Sequence, residues 1–122
     1  MSIADRLLIV LAGLSGLAGV ALSAAGAHAT GGSNLETAGR FLLIHAAALV
    51  GLAALAATGL VHPGVARAGG WAILVGVALF AGDLGMRVWR GAALFPMAAP
   101  AGGILLMIGW AAIAVSALIP RG

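Results

Sequence analysis

The chain has 122 residues, of which 63% are hydrophobic and only 7% are charged. Soluble domains carry about 25% charged residues, so this composition excludes a soluble globular protein and indicates one lipid-embedded domain. Cysteine is absent from the sequence, which excludes disulfides, thiolate metal sites and thiol catalysis. The net charge of +3 comes from arginines near the ends of apolar runs. Arginines there suit lipid head groups and do not indicate nucleic-acid binding.

The first predicted element is an apolar run over residues 7–27, which is long enough to cross a bilayer. The alternative is a signal peptide, because Ala25-Gly26-Ala27 is similar to a small-residue cleavage site. We interpret the run as a transmembrane span, since its removal would leave only three spans.

The second predicted span covers residues 41–61 and is interrupted by His45. Before it, Ser33 and Glu36 have the spacing of a capping box, with Ser33 as the N-cap. Glu36 and Arg40 are four residues apart, so a helix would allow them to form an ion pair. We therefore predict that these three residues have a structural role.

The third predicted span, residues 70–89, contains the most informative polar residues. Trp71 and Trp89 are 18 positions apart, about 27 Å on a helix, and are predicted to anchor the span at both membrane interfaces. On this placement Asp83 lies about 9 Å inside the hydrocarbon, one helical turn before Arg87. A carboxylate at such a depth is costly unless paired, so Asp83 is a candidate functional residue.

The fourth predicted span covers residues 101–119 and follows Pro100, which suits the first turn of a helix. Four spans joined by short loops predict an all-α membrane protein, a four-transmembrane-helix bundle of up-down-up-down topology. Both termini would then lie on one side of the membrane, and the arginine distribution favours the cytoplasm. Small residues in all four spans are predicted to allow close helix packing. They are Gly16, Gly19, Ser23, Gly51, Gly76, Gly102, Gly103 and Gly109.

This topology brings His28, His45, Asp83 and Arg87 to one side of the membrane. Asp83 and Arg87 form either a structural ion pair or part of a proton, ion or ligand site. His45 is either hydrogen-bonded to a neighbouring helix or a partner of Asp83 or of a ligand. His28 is expected to be an interfacial cap.

The sequence predicts no catalytic residues, no metal site and no cofactor. His28 and His45 lie at different estimated depths, which is awkward for a bis-histidine haem. The histidines and acids also lack the close paired spacing of a strong metal motif. The serines in the spans have no adjacent base that could make one of them a nucleophile.

Short motifs follow one another in a specific order along nearly the whole chain. They are GAH (residues 26–28), ETAGRFLLIHA (36–46), GW (70–71), LFAGDL (79–84), APAGG (99–103) and GW (109–110). In this order and spacing the chain resembles the bacterial YgdD-like family, the domain-of-unknown-function 423 family, which is related to eukaryotic transmembrane protein 256. The resemblance implies a small multi-spanning protein of the bacterial inner membrane with unassigned function, and it supplies no catalytic residues.

Two functions are compatible with these patterns. The first is a non-enzymatic membrane protein that is an accessory or assembly subunit of a membrane complex, or a small homo-oligomer. Its partners would be the lipid bilayer and other membrane-protein subunits or copies of itself, and no nucleic acid. The alternative is an ion- or ligand-handling protein, such as a small transporter, a channel subunit or a quinone- or lipid-binding module. This protein would use Asp83, Arg87, His45 and His28.

Overall fold

The computed structural model describes residues 2–28 and 32–120, which form four α-helices and no strand. The helices are α1 (Ile3–His28), α2 (Gly32–Thr58), α3 (Pro63–Trp89) and α4 (Ala98–Leu118). Each of them is long and apolar enough to cross a membrane. The predicted all-α, four-span fold is therefore confirmed. All four helices begin before the predicted apolar runs, whereas α2 ends at Thr58 and α4 at Leu118, three residues and one residue before the predicted ends.

Two of the helix starts are closed by side chains. Before α1, the Ser2 hydroxyl accepts a hydrogen bond from the Asp5 backbone N–H (3.1 Å), and the Ser2 N–H donates to the Asp5 carboxylate (3.4 Å). This reciprocal pair is a capping box. Before α3, His62 Nδ1 accepts from the Val65 N–H (3.2 Å), and Pro63 occupies the first helical position.

Glycines bring α1 and α2 into backbone contact as an antiparallel pair. A Cβ added to Gly39 would lie 2.8 Å from the Gly19 carbonyl oxygen, and one added to Gly26 would lie 2.8 Å from the Gly32 carbonyl oxygen. Real Cβ atoms essentially never approach other atoms so closely. The two helices can therefore reach this separation only where side chains are missing.

The pair formed by α3 and α4 is built in the same way. A Cβ on Gly76 would lie 2.8 Å from the Gly102 carbonyl oxygen, and one on Gly109 would lie 3.0 Å from the Gly69 carbonyl oxygen. In each of the four helices the two glycines at these contacts are seven residues apart. A seven-residue spacing keeps one face of a helix towards its partner.

The structure assigns the predicted small residues to two groups. Those at helix contacts are Gly16, Gly19, Ser23, Gly76, Gly102 and Gly109. A Cβ at Gly51 or Gly103 would have nothing within 4 Å, so neither glycine lies at a helix contact within the described part of the chain, and helix packing there stays a prediction. These two glycines have no helix packed against them.

The core lies between the central helices α2 and α3. Leu49, Ile73 and Val77 are almost completely buried there, with Leu8 of α1 and Leu106 of α4 on either side. The helix α1 packs mainly against α2, and α4 mainly against α3, and no packed interface joins α1 to α4 within the described ranges. The large apolar side chains on the outer faces of α1 and α4 are therefore exposed to the surrounding lipid.

Polar contacts define the two ends of the bundle. At one end, Asp5 at the start of α1 binds Arg67 at the start of α3, and the His62 N–H donates to the Ser116 carbonyl at the end of α4 (2.8 Å). The starts of α1 and α3 thus lie beside the end of α4, as up-down-up-down topology requires. We call this the Asp5 end and the opposite end, where α3 terminates, the Asp83 end.

Candidate functional site

Asp83 lies in the last two turns of α3 and is fully buried (0% exposed), although its side chain is a carboxylate. Arg87 Nε donates to Oδ2 at 2.8 Å, and the Leu94 backbone N–H donates to Oδ1 at 2.9 Å. Each carboxylate oxygen therefore has a donor. The predicted pairing of Asp83 with Arg87 is present in the structure, and the contact to Leu94 adds a partner from outside the helix.

The contact to Leu94 fixes the connection between α3 and α4. This connection begins with Gly91 and ends at Met97, both of which have a positive φ of 69°. Arg90 Nη2 also donates to the Ala93 carbonyl within it (3.2 Å). Asp83 thus holds a tight loop against the end of α3 while Arg87, half-exposed, extends towards the surface. The geometry is that of a structural lock, in which each oxygen of a fully buried carboxylate accepts one hydrogen bond.

His45 lies at the middle of α2 and is 5% exposed. Trp110 Nε1 donates to His45 Nε2 at 3.1 Å, and His45 Nδ1 is 2.7 Å from the Phe41 carbonyl oxygen. An indole N–H can only donate, so Nε2 is the acceptor and Nδ1 carries the proton that binds the carbonyl. The imidazole is therefore neutral, with both nitrogens engaged, and it joins α2 to α4.

Two aromatic rings contact this histidine. The His45 ring stacks on Phe41 (centroid distance 5.7 Å) and meets the edge of Trp110 (5.8 Å). Phe41 in turn contacts Phe80 of α3 (4.4 Å). No hydrogen bond joins His45 to Asp83 in the described part of the chain.

The remaining member of the predicted cluster is isolated. His28, the last residue of α1, is exposed, and its side chain forms no hydrogen bond or ion pair with another described residue. Of the four predicted residues, Asp83 and Arg87 form an ion pair and His45 links α2 to α4. The side chain of His28 is exposed. The structure does not bring them together in one contact group.

The predicted cap and ion pair at the start of α2 are also placed differently. The helix already includes Gly32, so Ser33 lies inside its first turn instead of at the N-cap, and its side chain does not bind Glu36. Glu36 and Arg40 are both exposed, and their charged groups are not within ion-pair distance of each other. On an exposed helix face such a pair gains little energy, so both side chains are free to extend.

Glu36 and Arg40 instead line a groove between α1 and α2. The groove has a volume of about 450 Å³, opens to the outside of the bundle and lies near the Asp83 end. Its other lining residues are Ser23, Leu43 and Ile44. Asp83, His45 and His28 are not among them.

The most extensive ion pair among the described residues was not predicted from the sequence. Arg67 donates from Nε to Asp5 Oδ1 (2.9 Å) and from Nη2 to Asp5 Oδ2 (3.1 Å). Asp5 is 1% exposed, whereas the Arg67 side chain is 32% exposed. The Ser-x-x-Asp spacing at residues 2–5 could have revealed the cap, but the pair joins positions 62 residues apart and has no local signal.

The predicted interfacial anchors lie in different surroundings. Trp89 is the last residue of α3 and is 65% exposed. Trp71 is half-buried against the core. An anchoring role at the membrane interfaces remains a prediction for both.

Polar groups in the interior are engaged within the molecule. Every buried side-chain nitrogen and oxygen in the described ranges has a hydrogen-bond partner. Those ranges contain no group of three or more histidine, cysteine, aspartate or glutamate side chains placed to hold a metal ion. Chemically, the arrangement of Asp5, Asp83 and His45 holds helices and a loop in position.

A family model described as "Protein of unknown function (DUF423)" matches residues 22–103. The matched segment contains the groove, His45 and the Asp83 lock, and it includes every motif quoted above except the second GW. No curated protein and no solved structure matches the chain.

Proposed function

The chain belongs to the DUF423 family, and from this premise we propose that it is a non-enzymatic integral membrane protein that acts by associating with other transmembrane helices. Its partner is either another subunit of a membrane complex, for which it serves as an accessory or assembly factor, or a second copy of the chain. We place it in the bacterial inner membrane, with both termini in the cytoplasm.

One surface carries the proposal, the outer stripe of α2. Ala47, Gly51, Ala54 and Thr58 follow one another at helical spacing, and all four are exposed. Within the molecule, α1 meets α2 and α3 meets α4 through stripes of small residues. The outer stripe is of the same type but has no helix on it. In lipid, small residues allow a second helix to approach and gain van der Waals contact.

The interior supports a role without catalysis. The Asp83 carboxylate is fully buried and accepts a hydrogen bond at each oxygen, and both nitrogens of the His45 imidazole are bound by neighbouring groups of the chain. A general acid, a base or an ion ligand needs a position open to its substrate. The alternative of ion or ligand handling by Asp83, Arg87, His45 and His28 therefore has weaker support, because these residues are occupied or far apart.

The test compares Gly51→Leu with Gly13→Leu. Both glycines are exposed, on α2 and α1 respectively, and a Cβ at either would have nothing within 4 Å, so both variants should fold. Each protein is extracted from its own membranes in a mild detergent and analysed by native mass spectrometry. We expect the wild type and Gly13→Leu to carry another chain and Gly51→Leu to lose it.

The identity of the bound chain distinguishes a homo-oligomer from a subunit of a larger complex. A wild type that leaves the membrane as a single chain, also after crosslinking in the membrane, would refute the proposal. Equal loss of the partner in both leucine variants would show that the outer stripe of α2 is not the contact surface.

A further inference from the structure

The groove between α1 and α2 presents two opposite charges and an apolar wall in a fixed order along one helix. Glu36 lies one turn after the start of α2, Arg40 one turn further, and Leu43 and Ile44 one turn further again, towards the middle of the bundle. Successive turns are about 5.4 Å apart, so acid, base and apolar wall form three levels. Ser23 of α1 lies across from them.

Glycine creates the groove. A Cβ on Gly39 would contact the Ser23 hydroxyl, so only a residue without a side chain allows α1 to approach α2 at this level. Arg40 and Leu43, which follow this contact along α2, line the groove together with Ser23 of α1. Leu43 is 38% exposed and Ile44 is 50% exposed, so an apolar ligand would find uncovered surface there.

The position of the groove along the helix places its charges near the membrane interface. Glu36 and Arg40 lie at the Asp83 end, the end that also carries Arg87 and Arg90, whereas His45 is at the midpoint of α2. Moving from this end towards the midpoint, a membrane changes from head groups to acyl chains. The long Arg40 side chain can extend towards the phosphate level while its stem lies in the apolar region.

We propose that this groove binds a zwitterionic phospholipid with a primary amine in its head group. In such a lipid the ammonium is outermost, the phosphate lies next, and the acyl chains lie deepest. The groove has the matching order, with Glu36 for the ammonium, Arg40 for the phosphate, and Leu43 with Ile44 for the first part of a chain. Arginine binds phosphate through paired N–H donors, and a carboxylate accepts from an ammonium.

The two charged side chains are available for this task because they do not bind each other. No ion pair joins Glu36 to Arg40 in the described part of the chain, although their spacing would permit one. Gly51, which carries the helix-association proposal, is not among the residues that line the groove. The variant Gly51→Leu therefore tests helix association without changing a residue that lines the groove.

The experiment titrates the full-length protein in detergent with synthetic lipids and counts bound lipids by native mass spectrometry. The probes are phosphatidylethanolamine, phosphatidylcholine and phosphatidylglycerol with identical acyl chains. The variants are Arg40→Gln and Glu36→Gln, and the control is Arg90→Gln, an exposed arginine at the same end but outside the groove. All three positions are exposed, so circular dichroism should show unchanged helix content.

We expect the wild type to bind phosphatidylethanolamine more tightly than the other two lipids. Arg40→Gln should weaken this binding about tenfold or more, as expected for loss of a charged hydrogen bond, while Arg90→Gln should not. Glu36→Gln should remove the preference over phosphatidylcholine, whose quaternary amine cannot donate. Preferential binding of phosphatidylglycerol, or equal losses in Arg40→Gln and Arg90→Gln, would overturn the proposal. Gly51→Leu should leave lipid binding unchanged.

Discussion

The backbone contact between α1 and α2 predicts that one added methyl group at Gly39 destabilises the fold. In Gly39→Ala, the new Cβ would meet the Ser23 hydroxyl and would lie 2.7 Å from the Ser23 nitrogen and 2.8 Å from the Gly19 carbonyl oxygen. Ordinary van der Waals contact begins at 3.4 Å. Because the obstructing atoms include backbone, the two helices would have to separate by about 0.7 Å.

The magnitude follows from the contacts that such a separation weakens. A radial gap of about 0.5–1 Å removes a quarter to a half of the dispersion attraction of each affected atom pair. Overpacking a well-packed site typically costs about 1–3 kcal/mol. Alanine favours a helix over glycine by about 1 kcal/mol in water, which acts in the opposite direction. We expect a net loss of about 1 kcal/mol, and at most about 2 kcal/mol, in the free energy of unfolding.

The matched control is Gly51→Ala, on the same helix, where the added Cβ meets nothing within 4 Å. Both variants are unfolded reversibly by increasing the fraction of sodium dodecyl sulfate in maltoside micelles, with tryptophan fluorescence as the readout. Gly39→Ala should unfold at a lower fraction than the wild type, and Gly51→Ala at an equal or higher one. If the two variants unfold at the same fraction of sodium dodecyl sulfate, the close contact of α1 and α2 does not stabilise the fold.

Three further predictions concern the polar contacts. Asp83→Ala leaves the Leu94 N–H without its acceptor, so we expect faster hydrogen exchange at Leu94 and a loss of about 1–3 kcal/mol, whereas Asp83→Asn should retain this N–H bond and lose less. Arg67→Gln leaves the buried Asp5 charge without its main partner and should lower the free energy of unfolding by about 3 kcal/mol. Asp5→Asn should lower it less, and the double variant should recover part of the loss in the same detergent assay. Trp110→Phe removes the donor to the His45 imidazole and should destabilise the fold by about 1 kcal/mol more than Trp89→Phe, the same change at a tryptophan that is 65% exposed.

Hydrophobic run length was sufficient to predict the four spans and their order. A lipid-embedded segment must form its backbone hydrogen bonds internally, which a helix does. A lipid-embedded run of about 20 apolar residues therefore predicts a transmembrane helix. The pairing of Asp83 with Arg87 was predictable for a similar reason, since both residues lie on one helix at a spacing of four. Local patterns were less reliable for exposed pairs, since the predicted bond of Glu36 with Arg40 is not formed, and the capping box of Ser2 with Asp5 was not predicted.

Contacts between distant segments could not be predicted in the same way. The bond from Trp110 to His45 and the pair of Arg67 with Asp5 depend on how helices are rotated against one another. Small residues showed that helices would approach closely, but they did not show which side of α2 would be covered. For this reason Gly51 was predicted to be a contact and is open in the structure.

Glycine stripes and polar bonds fix different parts of this fold. The stripes pair α1 with α2 and α3 with α4, which gives two antiparallel hairpins. They do not determine how one hairpin lies against the other. That relation is defined by the packing of α2 on α3 and by two polar bonds that cross between the hairpins.

Arg67 joins Asp5 from α3 to α1, and Trp110 joins His45 from α4 to α2. One bond lies at the Asp5 end and the other at the middle of the bundle. In lipid the hydrophobic effect does not select one rotation of apolar helices over another, whereas an unpaired polar group in the interior disfavours every arrangement but the one that satisfies it. Loss of either bond should therefore loosen the contact between the hairpins while each hairpin stays intact. A double variant at Arg67 and Trp110 should loosen this contact further and still leave α1 paired with α2 and α3 paired with α4.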